Sequence, residues 1–160
     1  TLLSSSYSFA FSTRQDMVEI LRNEGIEQQV KDAIPGNNST AYINEAYVEL
    51  NDTGMKAYVH FFVDAQQEAC VRIPFVGKRC VTTWGLETNL AAEAILDPSC
   101  NVNHVDVRKW GSSSEGLAHL VEPLIHELYH LFETQAEAMV RKSIEKAIQN
   151  NQAIKEFCNL

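Results

Sequence analysis

The sequence predicts an α+β fold in which a curled antiparallel sheet is wrapped on one long C-terminal amphipathic helix, with a shorter helix ahead of the sheet. Two periodicities and a set of turn signals predict it. Between Glu115 and about Asn150 apolar residues recur at helical spacing, whereas from Tyr42 to Leu96 they recur at every second position. Residues that tolerate tight turns, Asn51-Asp52-Thr53-Gly54 above all, separate the alternating stretches. No repeat, linker or low-complexity segment divides the 160 residues, so residues 1–160 are expected to fold as one domain around one core.

The elements follow in order. Leu2 to Phe11 is apolar and Ser-rich without a clear period, which suits an extended arm or an edge strand. Thr13 with Asp16 three residues later resembles a capping arrangement, opening a helix through Met17, Ile20, Leu21, Ile26, Val30 and Ile34, with a bend at Gly25 and a stop at Pro35-Gly36. From Thr40 the period becomes two. Tyr42–Leu50 and Met55–Ala65 form a hairpin, and Met55, Ala57, Val59, Phe61 and Val63 share a face. A second hairpin is expected at Val71–Arg79, with Pro74 and Gly77 near its bend. Leu86, Thr88, Leu90, Ala92, Ala94 and Leu96 then line one side of a later strand whose other side carries Glu87, Asn89 and Glu93, so the sheet reads as one-sided. A last strand spans about Asn101 to Trp110, and Gly111 with three serines leads into the long helix.

The net charge of −8 argues against a nucleic-acid binder, because phosphate-rich partners recruit an excess of Lys and Arg. No stretch approaches the roughly twenty consecutive apolar residues of a membrane span, and a start at Thr1 without Met suits either a mature or a trimmed chain. Cys70, Cys80, Cys100 and Cys158 show no Cys-x-x-Cys spacing, so two disulfides are preferred over a zinc ribbon or a redox pair. Cys70 and Cys80 bracket the second hairpin; Cys100 and Cys158 then pair by elimination. Three connectivities exist on paper, and four reduced core thiols are the alternative. Asn37, Asn38 and Asn51 each head a glycosylation sequon, which together with the cysteines favours a secreted protein.

His126-Glu127-Leu128-Tyr129-His130 spells the zinc-hydrolase pattern His-Glu-x-x-His. At roughly 100° per residue both histidines project away from the apolar stripe, onto a face shared with His119, Glu133 and Glu137. A catalytic zinc needs a walled cleft and a third protein ligand, for which Glu133 is the nearest candidate. The solvated-face reading is therefore preferred, with a zinc-dependent hydrolase using His126, His130 and Glu133 as ligands and Glu127 as base kept as the alternative. No other catalytic or cofactor motif surfaces, and no cofactor is expected.

From Cys100 onward the chain resembles the tubular lipid-binding (TULIP) superfamily, which includes bactericidal/permeability-increasing protein, PLUNC-type proteins and group 7 mite allergens. The resemblance rests on a Cys, a short strand (Asn103, His104, Val105, Asp106, Val107), a Gly/Ser turn, and Leu120, Val121, Pro123, Leu124, Ile125, Leu128, Leu131 and Phe132 leading into a helix that ends near a second Cys. In that family a disulfide joins the strand region to the long helix, as Cys100–Cys158 would. It implies non-catalytic binding of a lipid or other elongated apolar ligand between helix and sheet. The expected lining is Leu124, Leu128, Leu131, Phe132 and Met139 from the helix, with Val59, Phe61, Val63, Leu90 and Ala92 from the sheet. The acidic composition points away from lipopolysaccharide. A peripheral membrane contact is a further expectation at the hairpin tip, where Arg72, Lys78 and Arg79 surround Phe75 and Val76; its ordinary counterpart is a solvated turn. A homodimeric interaction protein with a filled core is the remaining alternative.

Overall fold

The computed structural model describes residues 12–116 and 118–158. The expected arm at residues 2–11 and Leu117 lie outside what is described, as do the side chains of His119, Leu120 and Val121 on the long helix. Strand β1 (Ser12–Asp16) precedes two short helices, α1 (Val18–Asn23) and α2 (Ile26–Ala33). Four longer strands follow, β2 (Thr40–Asn51), β3 (Gly54–Ile73), β4 (Gly77–Leu96) and β5 (Val102–Gly116), and then helices α3 (Ala118–Asn150) and α4 (Gln152–Cys158). The strands lie in chain order, each antiparallel to the next, in one sheet that is not closed.

Alternation decides the core, because successive side chains of a strand point to opposite faces. On β3 the residues Met55, Ala57, Val59, Phe61, Val63 and Ala65 are all buried, and β4 answers with Leu86, Leu90, Ala92, Ala94 and Leu96. Against them α3 sets Leu128, Phe132, Ala136, Met139, Val140, Ile144 and Ala147, three or four residues apart as one helix face requires. Leu21 of α1, Ile26 and Val30 of α2 and Ile154 of α4 complete a single cluster. Phe61 and Phe132 meet edge to face with ring centroids 5.8 Å apart.

The chain departs from the expected elements at three places. Thr13 does not open a helix: residues 12–16 pair with β2, Thr13 opposite Leu50 and Asp16 opposite Tyr47. The helix N-cap is Met17, without a side-chain cap, and Asp16 Oδ1 accepts a hydrogen bond from the Val18 N–H at 3.0 Å in a turn that leads into α1. Gly25, at φ 77°, breaks the expected single helix into α1 and α2 rather than bending it. The Gly/Ser stretch after Trp110 remains strand, running past a bulge opposite Glu87–Asn89. There Ser112 and Thr88 share a hydroxyl hydrogen bond of 2.8 Å, and Gly116 (φ 94°) closes on the Thr83 carbonyl where a Cβ would collide.

Both disulfides are present, Cys70–Cys80 across the β3–β4 hairpin and Cys100–Cys158 between the β4–β5 loop and the end of α4. Cys100 holds a left-handed backbone, φ 62°, inside a loop organised by Asp97. That carboxylate accepts from the N–H groups of Asn101 and Ser99, and these bonds hold its pKa below the usual Asp value. Two disulfides fit an extracellular or secreted protein, and no described helix is long and apolar enough to cross a membrane.

Candidate lipid interface

The ten residues expected to line a ligand tunnel lie between the sheet and α3. Val59, Phe61, Val63, Leu90, Ala92, Leu128, Phe132 and Met139 are buried against one another, while Leu124 and Leu131 are half-buried. The surface clefts lie around this packed layer rather than within it. One of them, of about 370 Å³, opens between α2 and α3 over Ile26, Val30, Ala138 and Met139, with Gln29, Gln135 and Lys142 at its rim, so Met139 is the expected lining residue that borders it.

The second feature is a finger. β3 and β4 remain paired well beyond the body of the sheet, and every residue from Ala69 to Thr83 is exposed. At about 3.3 Å per residue, six residues from Ala69 to Phe75 carry the tip roughly 20 Å outward. Register fixes its two faces. Cys70 stands opposite Cys80 and Arg72 opposite Lys78, so these four share one face; Val71 opposite Arg79, Ile73 opposite Gly77 and Val81 opposite Ala69 share the other. Among the described residues eight large hydrophobic side chains are exposed, and five of them belong to this finger: Val71, Ile73, Phe75, Val76 and Val81. Such a concentration sets the finger apart from the three other exposed large hydrophobic residues, which are scattered.

The tip has a particular geometry. The Val76 N–H donates to the Ile73 carbonyl at 3.1 Å, which closes a four-residue turn with Pro74 second and Phe75 third. Phe75 adopts φ 67°, as a type II turn demands of its third residue, where glycine is the usual occupant. An aromatic residue held in the left-handed region is costly, and Phe75 is nonetheless fully exposed, at 109%. No family model, curated protein or solved structure matches this chain.

The histidine motif sits elsewhere. His126, Glu127 and His130 are exposed on the outward side of α3, and His130 Nδ1 lies 4.0 Å from Glu133 Oε1. Among the described residues the group whose ligand atoms converge enough to hold a metal is Glu68, Cys70 and Cys80, and its two sulfurs are already bonded to each other. Nothing among them walls the two histidines into a cleft.

Sequence reasoning found the tip cations but missed the finger's length, and it treated the outer face of the sheet as wet. That face carries an aromatic row instead. The rings of Tyr47 and Tyr58 lie 5.3 Å apart and those of His60 and Trp110 4.8 Å apart, with the Arg14 guanidinium 3.7 Å from the Tyr47 centroid. Tyr47 and His60 are buried, and His60 Nε2 lies 2.9 Å from Asn89 Oδ1. The signal was legible in β3, where Tyr58, His60 and Phe62 interleave with Val59, Phe61 and Val63 and make both faces aromatic or apolar.

Proposed function

We propose that this protein is a secreted, non-catalytic lipid-binding protein whose contact with lipid is the β3–β4 finger. The observation that carries the reading is the exposed apolar tip: Phe75 stands clear of the protein, with Val76 beside it and Val71, Ile73 and Val81 on one face behind it. Burying a large apolar side chain contributes about 1.5–3 kcal/mol. Insertion of Ile73, Phe75 and Val76 together is therefore worth several kcal/mol before association costs. The Cys70–Cys80 bond and the continuous ladder order the finger in advance, which reduces what binding must spend on ordering it. Co-sedimentation with phospholipid vesicles tests the reading. The protein is expected in the vesicle pellet and Phe75→Asp in the supernatant; a protein that stays in the supernatant with every vesicle composition overturns it.

The α2–α3 cleft favours a second reading, in which one elongated apolar molecule is carried inside. In that form the sheet curls around α3 and a ligand entering over Ile26 and Val30 displaces Met139 to run between helix and sheet. Pockets for small ligands begin at about 300 Å³, a size this cleft reaches. Native mass spectrometry of unextracted protein separates the two. Excess mass removed by organic solvent supports the internal ligand, and bare protein that still binds vesicles leaves the finger alone.

A further inference from the structure

We infer that the surface the finger meets is anionic, an acidic phospholipid bilayer engaged tip first, with Arg72, Lys78 and Arg79 set on its phosphates; this rests on the lipid-binding reading above. Charge distribution is the first argument. The chain carries −8, yet no Asp or Glu occurs between Glu68 and Glu87. The stretch from Ala69 to Leu86 is therefore +3 and the remainder of the protein −11. A bilayer rich in acidic lipid attracts the finger and repels the body, so the two signs together orient the protein.

The cost of this arrangement is the second argument. Arg72 and Lys78 are direct cross-strand partners, and like charges placed opposite each other destabilise a hairpin. Among the described residues neither they nor Arg79 makes an ion pair, although Lys or Arg meets a carboxylate in eight contacts elsewhere. The repulsion is thus uncompensated within the fold, and a layer of phosphates would compensate it. The apolar tip is the third argument. Phe75 and Val76 lie a few residues beyond the cations, as an anchor that enters the acyl boundary does when long basic side chains reach back to the headgroups. A soluble acidic protein would satisfy the charge without explaining the exposed Phe75.

Two vesicle compositions test the inference: phosphatidylcholine alone, and phosphatidylcholine with phosphatidylserine. Each cation near an acidic surface contributes about a fivefold gain in affinity, so the three together predict preference for the acidic vesicles by roughly a hundredfold at low salt, falling as salt is raised. The triple variant Arg72→Gln, Lys78→Gln, Arg79→Gln should lose that preference and bind both vesicles alike. Phe75→Gly, which suits the turn and spares the fold, should lose binding to both. Equal binding of the unaltered protein to the two compositions overturns the anionic surface while the lipid reading stands, whereas failure to bind either overturns both. A triple variant that keeps its preference moves the acidic contact elsewhere and overturns the finger's role. Full binding by Phe75→Gly would mean attraction by charge alone, as for a soluble polyanion, and overturns insertion.

Discussion

Strands β3 and β4 are each twenty residues long, and along one ladder, interrupted by a bulge at Gln67–Glu68, they live in two environments. From Met55 to Ala65, and from Trp84 to Leu96, inward side chains are sealed under α3. Beyond Ala69 neither face is covered, yet the apolar alternation continues through Val71, Ile73 and Val81. In the body the alternation lowers the free energy of the folded protein, because it removes apolar surface from water. In the finger it removes much less, since Val71, Ile73 and Val81 stay between 41% and 65% exposed, and the facing Arg72 and Lys78 and the left-handed Phe75 add cost. A segment whose composition does not serve the isolated fold is best explained by what it meets outside it.

Removing the same kind of side chain from each region breaks the comparison most forcefully. Phe61→Ala leaves a cavity beneath Phe132 and should destabilise the protein by about 3–5 kcal/mol in denaturant titration. Phe75→Ala removes the same atoms from water-exposed surface and should leave the midpoint within about 0.5 kcal/mol. If the two cost alike, the finger is packed against something and its ring is not free.

The disulfides divide the same way. Cys100–Cys158 closes 58 residues and ties the β4–β5 loop to the last helix of the body, whereas Cys70–Cys80 closes ten within the finger. Loop-closure entropy gives about 4 kcal/mol for the first and about 2.5–3 kcal/mol for the second. The Cys70→Ser, Cys80→Ser protein should lose less still in global unfolding, since its strands stay paired, and should show faster amide exchange between Ala69 and Thr83 with the body protected. Faster exchange throughout the core would mean that finger and body unfold as one unit.

Much of the body was legible in the chain because its signals are local. The period-two stretches, the turn at Asn51–Gly54, the helical stripe and the pairing of Cys70 with Cys80 each follow from residues close together in sequence. β1 was not legible, since Ser12-Thr13-Arg14-Gln15-Asp16 has no apolar alternation and becomes a strand through β2, more than thirty residues away. The Gly/Ser end of β5 is likewise held by its partner strand, through Thr88 and Ser112. The finger's hairpin was legible too, but its length and exposure escaped for the opposite reason. Alternating Val and Ile read the same whether or not anything covers them, and cover is a property of the whole fold.

Phe75→Gly sharpens the contrast with a smaller effect of opposite sign. At φ 67° a glycine sits without strain, so the variant should gain up to about 1 kcal/mol, less the extra freedom glycine brings to the unfolded chain. The expected result is slower amide exchange at the finger tip together with lost vesicle binding, a stabilising change that removes the proposed contact. A variant that loses stability would show that the ring makes contacts holding the tip.

The smallest effect belongs to the body and should be absent from the finger. Glu24, at the α1–α2 corner, lies 2.7 Å from Lys146 and 3.6 Å from Lys142 of α3. The Lys146 hydrogen bond lowers the Glu24 pKa below its ordinary 4.5, and the same bond raises that of Lys146 above 10.5. A lowered carboxyl contributes stability that is complete above its unfolded value and is lost as pH falls through the folded one; a raised ammonium contributes below its unfolded value and loses it as pH rises through the folded one. The pair therefore supports the α1–α2 corner between about pH 4.5 and 10.5 and fails on both sides. Glu24→Gln should flatten both flanks of the stability profile slightly, as solvent-screened pairs do. Replacing Arg72, Lys78 and Arg79 with Gln should leave those flanks unchanged, because among the described residues none of the three pairs with a carboxylate. If the triple variant reshapes the acid flank, the finger's charges are coupled to carboxylates of the body, and the division between the two halves of β3 and β4 is less sharp than the ladder suggests.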